Sequence, residues 1–166
     1  MVQEAVTQTY ASLARDVPRA GDRQSRAVAS WMALQFATSV RNALLDAIET
    51  DTGVSAVLKI RTGAAPATCA TADSGTVLAT LNLPSDYMAA AASGSKAKLG
   101  TWEDTAADAA GTAAHFRLYK TDGTTCQIQG TVTATGGGGD LTLDNTNIAV
   151  GQTITITSFT LTAPGA

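Results

Sequence analysis

The chain has 166 residues, of which 45% are hydrophobic, 15% charged and 5% aromatic, with a formal net charge of −3 and a pI near 4.9. A chain of this size buries roughly two thirds of its unfolded surface, so a core forms without a metal or a disulfide. The acidic balance excludes nucleic acid as the main partner, because a phosphate-binding surface needs clustered Lys and Arg and the eleven here are scattered. No run of about 20 apolar residues is present to span a membrane, so we expect no membrane partner.

The N-terminal segment, residues 1–31, differs from the rest of the chain, because it is richer in charge and carries Pro18 and Gly21 in its middle. Two interpretations remain open. The segment is an arm that orders on a partner, or it is an upstream extension before a natural start at Met32. It lacks the apolar region of a secretory signal, so we expect synthesis and folding in the cytoplasm.

Apolar residues recur at three- and four-residue steps after Met32, which predicts an amphipathic helix over residues 34–50, within a helical segment 32–52. Phe36, Val40 and Leu44 begin the stripe, and Asp51 and Gly53 are typical of a helix end. This stripe packs on a sheet or faces another subunit.

From residue 53 to residue 166 the apolar period changes to two, with turn signals every eight to twelve residues. The pattern predicts seven or eight short strands in a mainly β fold, an antiparallel β-sandwich that is jelly-roll-like. Residues 85–95 are expected to connect two strands, with one helical turn, and KAKLGTW to form a weak strand. A change of parity at Ser158 predicts a β-bulge in the last strand.

The segment HFRLYKTDGTTCQIQGTV predicts a hairpin with its turn at Thr-Asp-Gly. Alternation places His115 and Arg117 on a solvent or interface face, and Cys126 in the core beside Ile128, on the opposite side of the sheet from the histidine. Gly130 is expected to mark a bulge or a twist. Cys69 and Cys126 are too few for a metal site. A disulfide between them is possible, but free thiols are expected in the cytoplasm.

No catalytic constellation is present in the sequence, so we expect a protein that is not an enzyme and has no cofactor. His115 is the only histidine and no G-x-S-x-G elbow accompanies it. Glycines 136–139 precede Asp140 rather than Lys and a helix, which argues against a phosphate loop and for a slack, mobile hairpin connection. The carboxylates around Asp104 and Asp140 lack a calcium-loop pattern.

Two pieces, GTAAHFRLYKTDGTTCQIQGTV and GDLTLDNTNIAVGQTITITSFTLT, resemble small virion proteins from the head-gene regions of tailed bacteriophages. The similarity runs from about residue 33 to residue 163 and rests on the motifs A-x-H-F-R-x-Y, I-Q-G-T-V and G-Q-T-I-T-I-T-S-F-T-L-T. It implies a jelly-roll cement or decoration protein on the outer capsid surface, with the major capsid protein as partner. A homodimer or homotrimer is expected.

The alternative is a phage tail or receptor-binding β-sandwich that recognises host-surface carbohydrate. Its support is an aromatic and acidic group at Trp102, Glu103 and Asp104. The residues proposed for partner contacts are Phe36, Val40, Leu44, Trp102, Glu103, Asp104, His115 and Arg117.

Overall fold

The structure, a computed structural model, describes residues 34–165. The predictions for residues 1–31 lie outside the described residues. Within them one helix, α1 (Thr38–Thr52), precedes eleven short strands, so the mainly β class with one helix is confirmed. The strands are β1 (Val57–Arg61), β2 (Val77–Asn82), β3 (Ser95–Ala97), β4 (Trp102–Asp104), β5 (Gly111–Thr112), β6 (His115–Tyr119), β7 (Cys126–Ala134), β8 (Leu141–Leu143), β9 (Asn147–Ile148), β10 (Ile154–Ile156) and β11 (Thr160–Thr162).

The largest sheet has five strands in the order β2-β1-β6-β7-β8. Three two-stranded sheets accompany it, β10 with β4, β11 with β3, and β5 with β9. All of these pairings are antiparallel except the one between β7 and β8, which is parallel and aligns Val132 with Leu141. The uniformly antiparallel pairing expected from the sequence therefore fails at one place.

The parallel pair is unusual because only residues 135–140 connect its two strands, where parallel strands normally need a crossover of a dozen or more residues. Glycines make this short return possible. Gly136 and Gly138 have φ values of +85° and +75°, and a Cβ on Gly137 or Gly139 would lie 2.8 Å from the Thr133 side chain. The glycine segment is thus a closely packed return between parallel strands, not the slack hairpin connection that the sequence suggested.

The core contains side chains from the five-stranded sheet and from the two-stranded sheets. The Phe159 ring meets the Phe116 ring edge-on, with centroids 5.7 Å apart, and the Trp102 ring at 5.4 Å. Because Phe116 belongs to β6 and Trp102 to β4, Phe159 connects the five-stranded sheet with the β4–β10 pair. Trp102 is fully buried and donates its indole N–H to the carbonyl oxygens of Tyr87 and Leu99.

Helix α1 begins later than predicted, because Ala37 has an extended backbone conformation with ψ 148°, and it ends before Gly53, as the sequence indicated. Of its apolar residues only Leu45 is buried. Polar contacts attach the helix instead. The Arg41 guanidinium donates to the Ala163 carbonyl, the Asn42 side chain accepts from the Gly94 N–H, and Lys96 on β3 pairs with Asp46 and Glu49.

Two connections differ from the sequence-based expectation. Met88 pairs with Lys98 and Ala92 with Ser95, so residues 88–98 form a hairpin rather than a helical turn. Its turn residues Ser93 and Gly94 both have positive φ, 52° and 75°, as a type I′ turn requires. The predicted strand KAKLGTW is divided between β3 and β4, with Gly100 at φ 68° between them.

The chain between Ile156 and Thr160 leaves one sheet for another, which explains the change of parity at Ser158. Strand β10 pairs with β4 and strand β11 pairs with β3. The expected bulge in a single strand is therefore wrong.

A bulge does occur in β7, at Gln127. Leu118 pairs with Ile128 and Tyr119 with Cys126, so Gln127 is the extra residue. This reverses the alternation and turns Cys126 to the face of Tyr119 and Arg117. The prediction that Cys126 lies in the core, opposite the histidine's face, is wrong for this reason. Gly130, where a bulge was expected, pairs regularly with Phe116, whose ring would lie 2.7 Å from an added Cβ.

Candidate functional surface

The face of the five-stranded sheet that points away from the core is covered by the chain itself. The connection between β1 and β2, residues 62–76, lies across the side chains of β6 and β7. We call this segment the cover loop. Its two ends are held together by a hydrogen bond from the Thr62 N–H to the Thr76 carbonyl, 3.0 Å long.

Arg117, which is 1% exposed, organises the underside of the cover loop. Its guanidinium donates to the main-chain carbonyls of Thr68, Cys69 and Thr71, and forms an ion pair with the Asp73 carboxylate. A buried guanidinium is stable only when its donors are satisfied and its charge is balanced. These contacts meet both conditions.

The Asp73 carboxylate, at the far end of the cover loop, joins three partners. It pairs with Arg117 and with Arg61 on β1, and it accepts a hydrogen bond of 2.8 Å from the Tyr119 hydroxyl. Burial acts to raise the pKa of Asp73, but the Tyr119 hydrogen bond and the two guanidinium groups outweigh it and hold the pKa below its usual value. The carboxylate is therefore ionised at neutral pH. Burial and the hydrogen bond to Asp73 raise the pKa of Tyr119.

A disulfide between Cys69 and Cys126 attaches the middle of the cover loop to β7. The two Cα atoms are 5.2 Å apart, within the usual range for a disulfide. The Arg117 Nε lies 3.2 Å from the Cys126 sulfur. The expected free thiols are thus wrong, because the Gln127 bulge turns Cys126 toward the cover loop instead of the core.

Neither His115 nor Arg117 is exposed on the surface. The structure leaves His115 1% exposed, and its Nδ1 donates to the Gly63 carbonyl at 2.9 Å. Gln129, on the neighbouring strand, donates to the Pro66 carbonyl. The predicted solvent or interface face is wrong for both residues because the cover loop, which is distant in sequence, lies on top of them. Alternation along β6 identified this face correctly as polar, but nothing in the strand itself indicates what covers it.

Trp102, Glu103 and Asp104 do not form a combined site either. Trp102 is fully buried, so its indole is unavailable to a sugar or a protein partner, and this proposed contact is wrong. The Asp104 carboxylate accepts from the Thr80 and Ala106 N–H groups and joins β4 to the edge of β2. Glu103 remains exposed.

The apolar stripe of α1 is divided between the interior and the surface, since Leu45 is buried. Val40 is 44% exposed and Leu44 47% exposed, whereas Phe36, just before the helix, is half-buried. Leu44, Ala47, Ile48 and Asp51 line one wall of a groove of about 350 Å³ whose other wall is Gln127 and Ile128 of β7. We call this surface, together with Val40, the α1 face. It contains Val40 and Leu44, two residues of the predicted contact set that are exposed.

The described residues 34–165 contain no group of three or more His, Cys, Asp or Glu side chains arranged to hold a metal ion. Among the same residues, no helix combines the length and the apolar character that crossing a membrane demands. Comparison of the chain with protein-family models, with curated proteins and with solved structures finds no match.

Proposed function

We propose that this protein is a structural component of a tailed-bacteriophage virion that binds the outside of the assembled capsid and stabilises or decorates it. The two pieces that resemble phage head proteins, residues 111–132 and 139–162, carry strands β5 to β11. The resemblance thus falls on the framework of the fold and not only on its turns.

The observation that carries the proposal is the α1 face. The helix buries only Leu45 and Thr52 and is attached by Arg41, Asn42 and Asp46, so Val40 and Leu44 stay close to half exposed. An apolar helix face beside a groove is typical of a protein–protein contact. A capsid presents the same partner surface many times, so a weak contact at each position is sufficient when copies bind together.

The disulfide supports the same assignment. Disulfides persist in oxidising surroundings, including virion surfaces, and are rare in proteins that stay in the cytosol. A chain that is made in the bacterial cytoplasm and leaves it on a particle meets such surroundings after release. The major capsid protein is the proposed partner, and the proposed location is the capsid surface.

We further propose that the fold is a jelly-roll-like sandwich. In such a fold the two-stranded sheets β4–β10 and β3–β11 would form the layer opposite the five-stranded sheet. The contacts of the Phe159 ring with Phe116 on β6 and with Trp102 on β4 support this arrangement. The alternative function, carbohydrate recognition by a tail module, is not favoured by any contact among the described residues, because its aromatic residue Trp102 is buried.

Cosedimentation with empty capsids tests the function. Wild-type protein is expected to pellet with the capsids, and Leu44→Lys to bind about tenfold more weakly. Leu44 is 47% exposed, so the variant loses about half of the ~1.5–3 kcal/mol of a fully buried leucine, and the lysine charge at the contact adds a desolvation cost. Val150→Lys is the matched control, since Val150 is 68% exposed and lies outside the α1 face. Wild-type protein that stays in the supernatant would contradict the proposal. An equal loss of capsid binding in Leu44→Lys and Val150→Lys would exclude the α1 face as the contact.

Oligomeric state is measured on the same preparations by sedimentation equilibrium. A homodimer or homotrimer is expected in solution. Imaging of intact virions by electron microscopy locates the protein directly, and density at the tail instead of the capsid would contradict the proposed location.

A further inference from the structure

A second groove, of about 410 Å³, lies between strands β7 and β11. Its lining combines the apolar side chains of Phe116, Ile128, Phe159 and Leu161 with Gly139 and with polar residues, namely Gln129, Asp140, Thr160 and Thr162. Strands β7 and β11 are not paired with each other. The groove therefore separates two strand edges that belong to different sheets.

The edge of β7 that borders this groove carries free main-chain groups. The Val132 N–H donates to the Ala114 carbonyl on the β6 side, and the Thr131 N–H points the other way, to Asp140. Since successive residues of an antiparallel ladder direct their N–H and C=O groups to alternate sides, Gln129 directs its groups away from β6 as Thr131 does. Strand β8 pairs only with residues 132–134 of β7, so it does not reach Gln129.

The edge of β11 is open in the same way. On the β3 side, the Lys98 N–H donates to the Phe159 carbonyl and the Ala163 N–H to the Gly94 carbonyl. Residues between these positions alternate, so Thr160 and Thr162 direct their N–H and C=O groups away from β3 and toward the groove. Exposed strand edges of this kind are templates for another strand.

We propose that this groove accepts an extended segment of the capsid protein, which adds a strand between β7 and β11. The segment pairs its main chain with Gln129 on one side and with Thr160 and Thr162 on the other. Alternate apolar side chains fill the space over Phe116 and Phe159, as in other cases where an extended peptide completes a sheet. Strand β11 has three residues, so the inserted strand needs about three paired residues, or about 10 Å of extended chain.

Charge defines the segment further. Asp140 is the charged residue of the groove lining, and Asp51 is the charged residue of the adjoining groove on the α1 face, which shares Ile128 with it. No Lys or Arg lines either groove among the described residues. The chemistry therefore fits an apolar segment flanked by a basic side chain. This inference rests on the proposed function for the identity of the partner.

Amide hydrogen exchange on the wild-type protein, free and bound to empty capsids, tests the inserted strand. The Gln129, Thr160 and Thr162 amides are expected to exchange quickly in the free protein and at least about tenfold more slowly on capsids, because inserted strands protect their hydrogen-bonded amides. Cosedimentation in the same samples reports binding independently. Protein that pellets with capsids while these amides stay unprotected overturns the inserted strand and leaves the proposed function intact.

Slow exchange of the same amides in the free protein would mean that something other than the capsid protein already occupies the groove. Either of the two occupants below would overturn the inference. Protection that is independent of concentration would indicate another part of the same chain, and protection that grows with concentration would indicate a second copy. Absence of any pelleting overturns the proposed function and, with it, the capsid protein as the source of the strand.

A substitution at Thr160 gives a second measurement. Thr160→Pro removes the outward N–H without removing a hydrogen bond to β3, and edge strands accept proline at such positions. Thr160→Ala at the same exposed residue keeps the N–H. The proline variant is expected to bind capsids about tenfold more weakly than the alanine variant, and equal binding by two folded variants would contradict the inserted strand.

Discussion

Arg117 and Asp73 form an ion pair that closes the cover loop over the five-stranded sheet. The arginine is 1% exposed, and its other donors contact main-chain carbonyls of the same loop. Residues that a strand pattern assigns to an outer polar face are therefore internal. The α1 face and the groove between β7 and β11, in contrast, are the surfaces that we propose for partner binding.

Asp73→Asn is expected to lower the free energy of unfolding by about 2–3 kcal/mol. The substitution leaves the guanidinium groups of Arg61 and Arg117 without their anion, and breaking a buried ion pair costs about 3–5 kcal/mol. The expected loss for Asp73→Asn is smaller than that of a fully buried pair, because the Asp73 side chain is 37% exposed. Urea denaturation measures the change. Asp86→Asn is the matched control, since Asp86 is exposed, and it is expected to stay within about 0.5 kcal/mol of wild type.

The contribution of Asp73 is expected to disappear at acid pH. Its pKa is lower in the folded protein than the usual 3.8, so its ionisation stabilises the fold above that value and the stabilisation is lost as pH falls through the folded pKa. The stability difference between wild type and Asp73→Asn should stay constant from pH 7 to about pH 5 and narrow below about pH 4. A difference that persisted unchanged to about pH 2 would show that the carboxylate charge is not its source.

Reduction of the disulfide is expected to lower stability by about 2–4 kcal/mol, because Cys69 and Cys126 are 57 positions apart and the bond limits a long loop in the unfolded chain. Guanidinium denaturation with and without dithiothreitol measures the loss. A variant with both cysteines changed to alanine serves as the control, since dithiothreitol should not affect it. Two titratable thiols in the unfolded, unreduced protein would show that the bond is absent.

The sequence pattern predicted the positions of the helix and the strands better than it predicted which residues pack against them. Ile154 and Ile156 alternate in β10 and are buried as their spacing predicts, and the helix ends where Asp51 and Gly53 indicated. Such features depend only on residues that are neighbours within one strand or helix, so the sequence pattern shows them directly. The predicted start of α1 was wrong, because the apolar stripe begins at Phe36, whereas the backbone at Ala37 is extended and the helix begins at Thr38.

The burial of His115 and Arg117 depends on contacts across 44 to 52 residues of chain, with Asp73 and Gly63. Nothing in the alternation of β6 encodes which loop lies above it. The one-residue bulge at Gln127 had the same effect on Cys126, since a single inserted residue exchanges the two faces of a strand. The signal in the sequence was the pair of cysteines, Cys69 and Cys126. It indicates a disulfide once the bulge places Cys126 on the outer face of the sheet.

Gly94→Ala is expected to destabilise the protein more than Gly138→Ala, although both glycines have φ +75°. At Gly138 an added Cβ meets nothing within 4 Å, so the cost is that of the left-handed backbone alone, about 1 kcal/mol. At Gly94 the Cβ would lie 2.3 Å from the Arg41 guanidinium carbon and displace it from the Ala163 carbonyl. Losing that charged hydrogen bond adds about 1–2 kcal/mol.

Urea denaturation followed by circular dichroism measures both glycine variants. In Gly94→Ala the helical signal should be lost at a lower urea concentration than the strand signal, because Arg41 attaches α1 to the end of β11. Gly138→Ala should lose both signals together. Equal urea midpoints for Gly94→Ala and Gly138→Ala would mean that the Arg41 contact does not hold the helix. The ion pairs of Lys96 with Asp46 and Glu49 would then be the main attachment of α1.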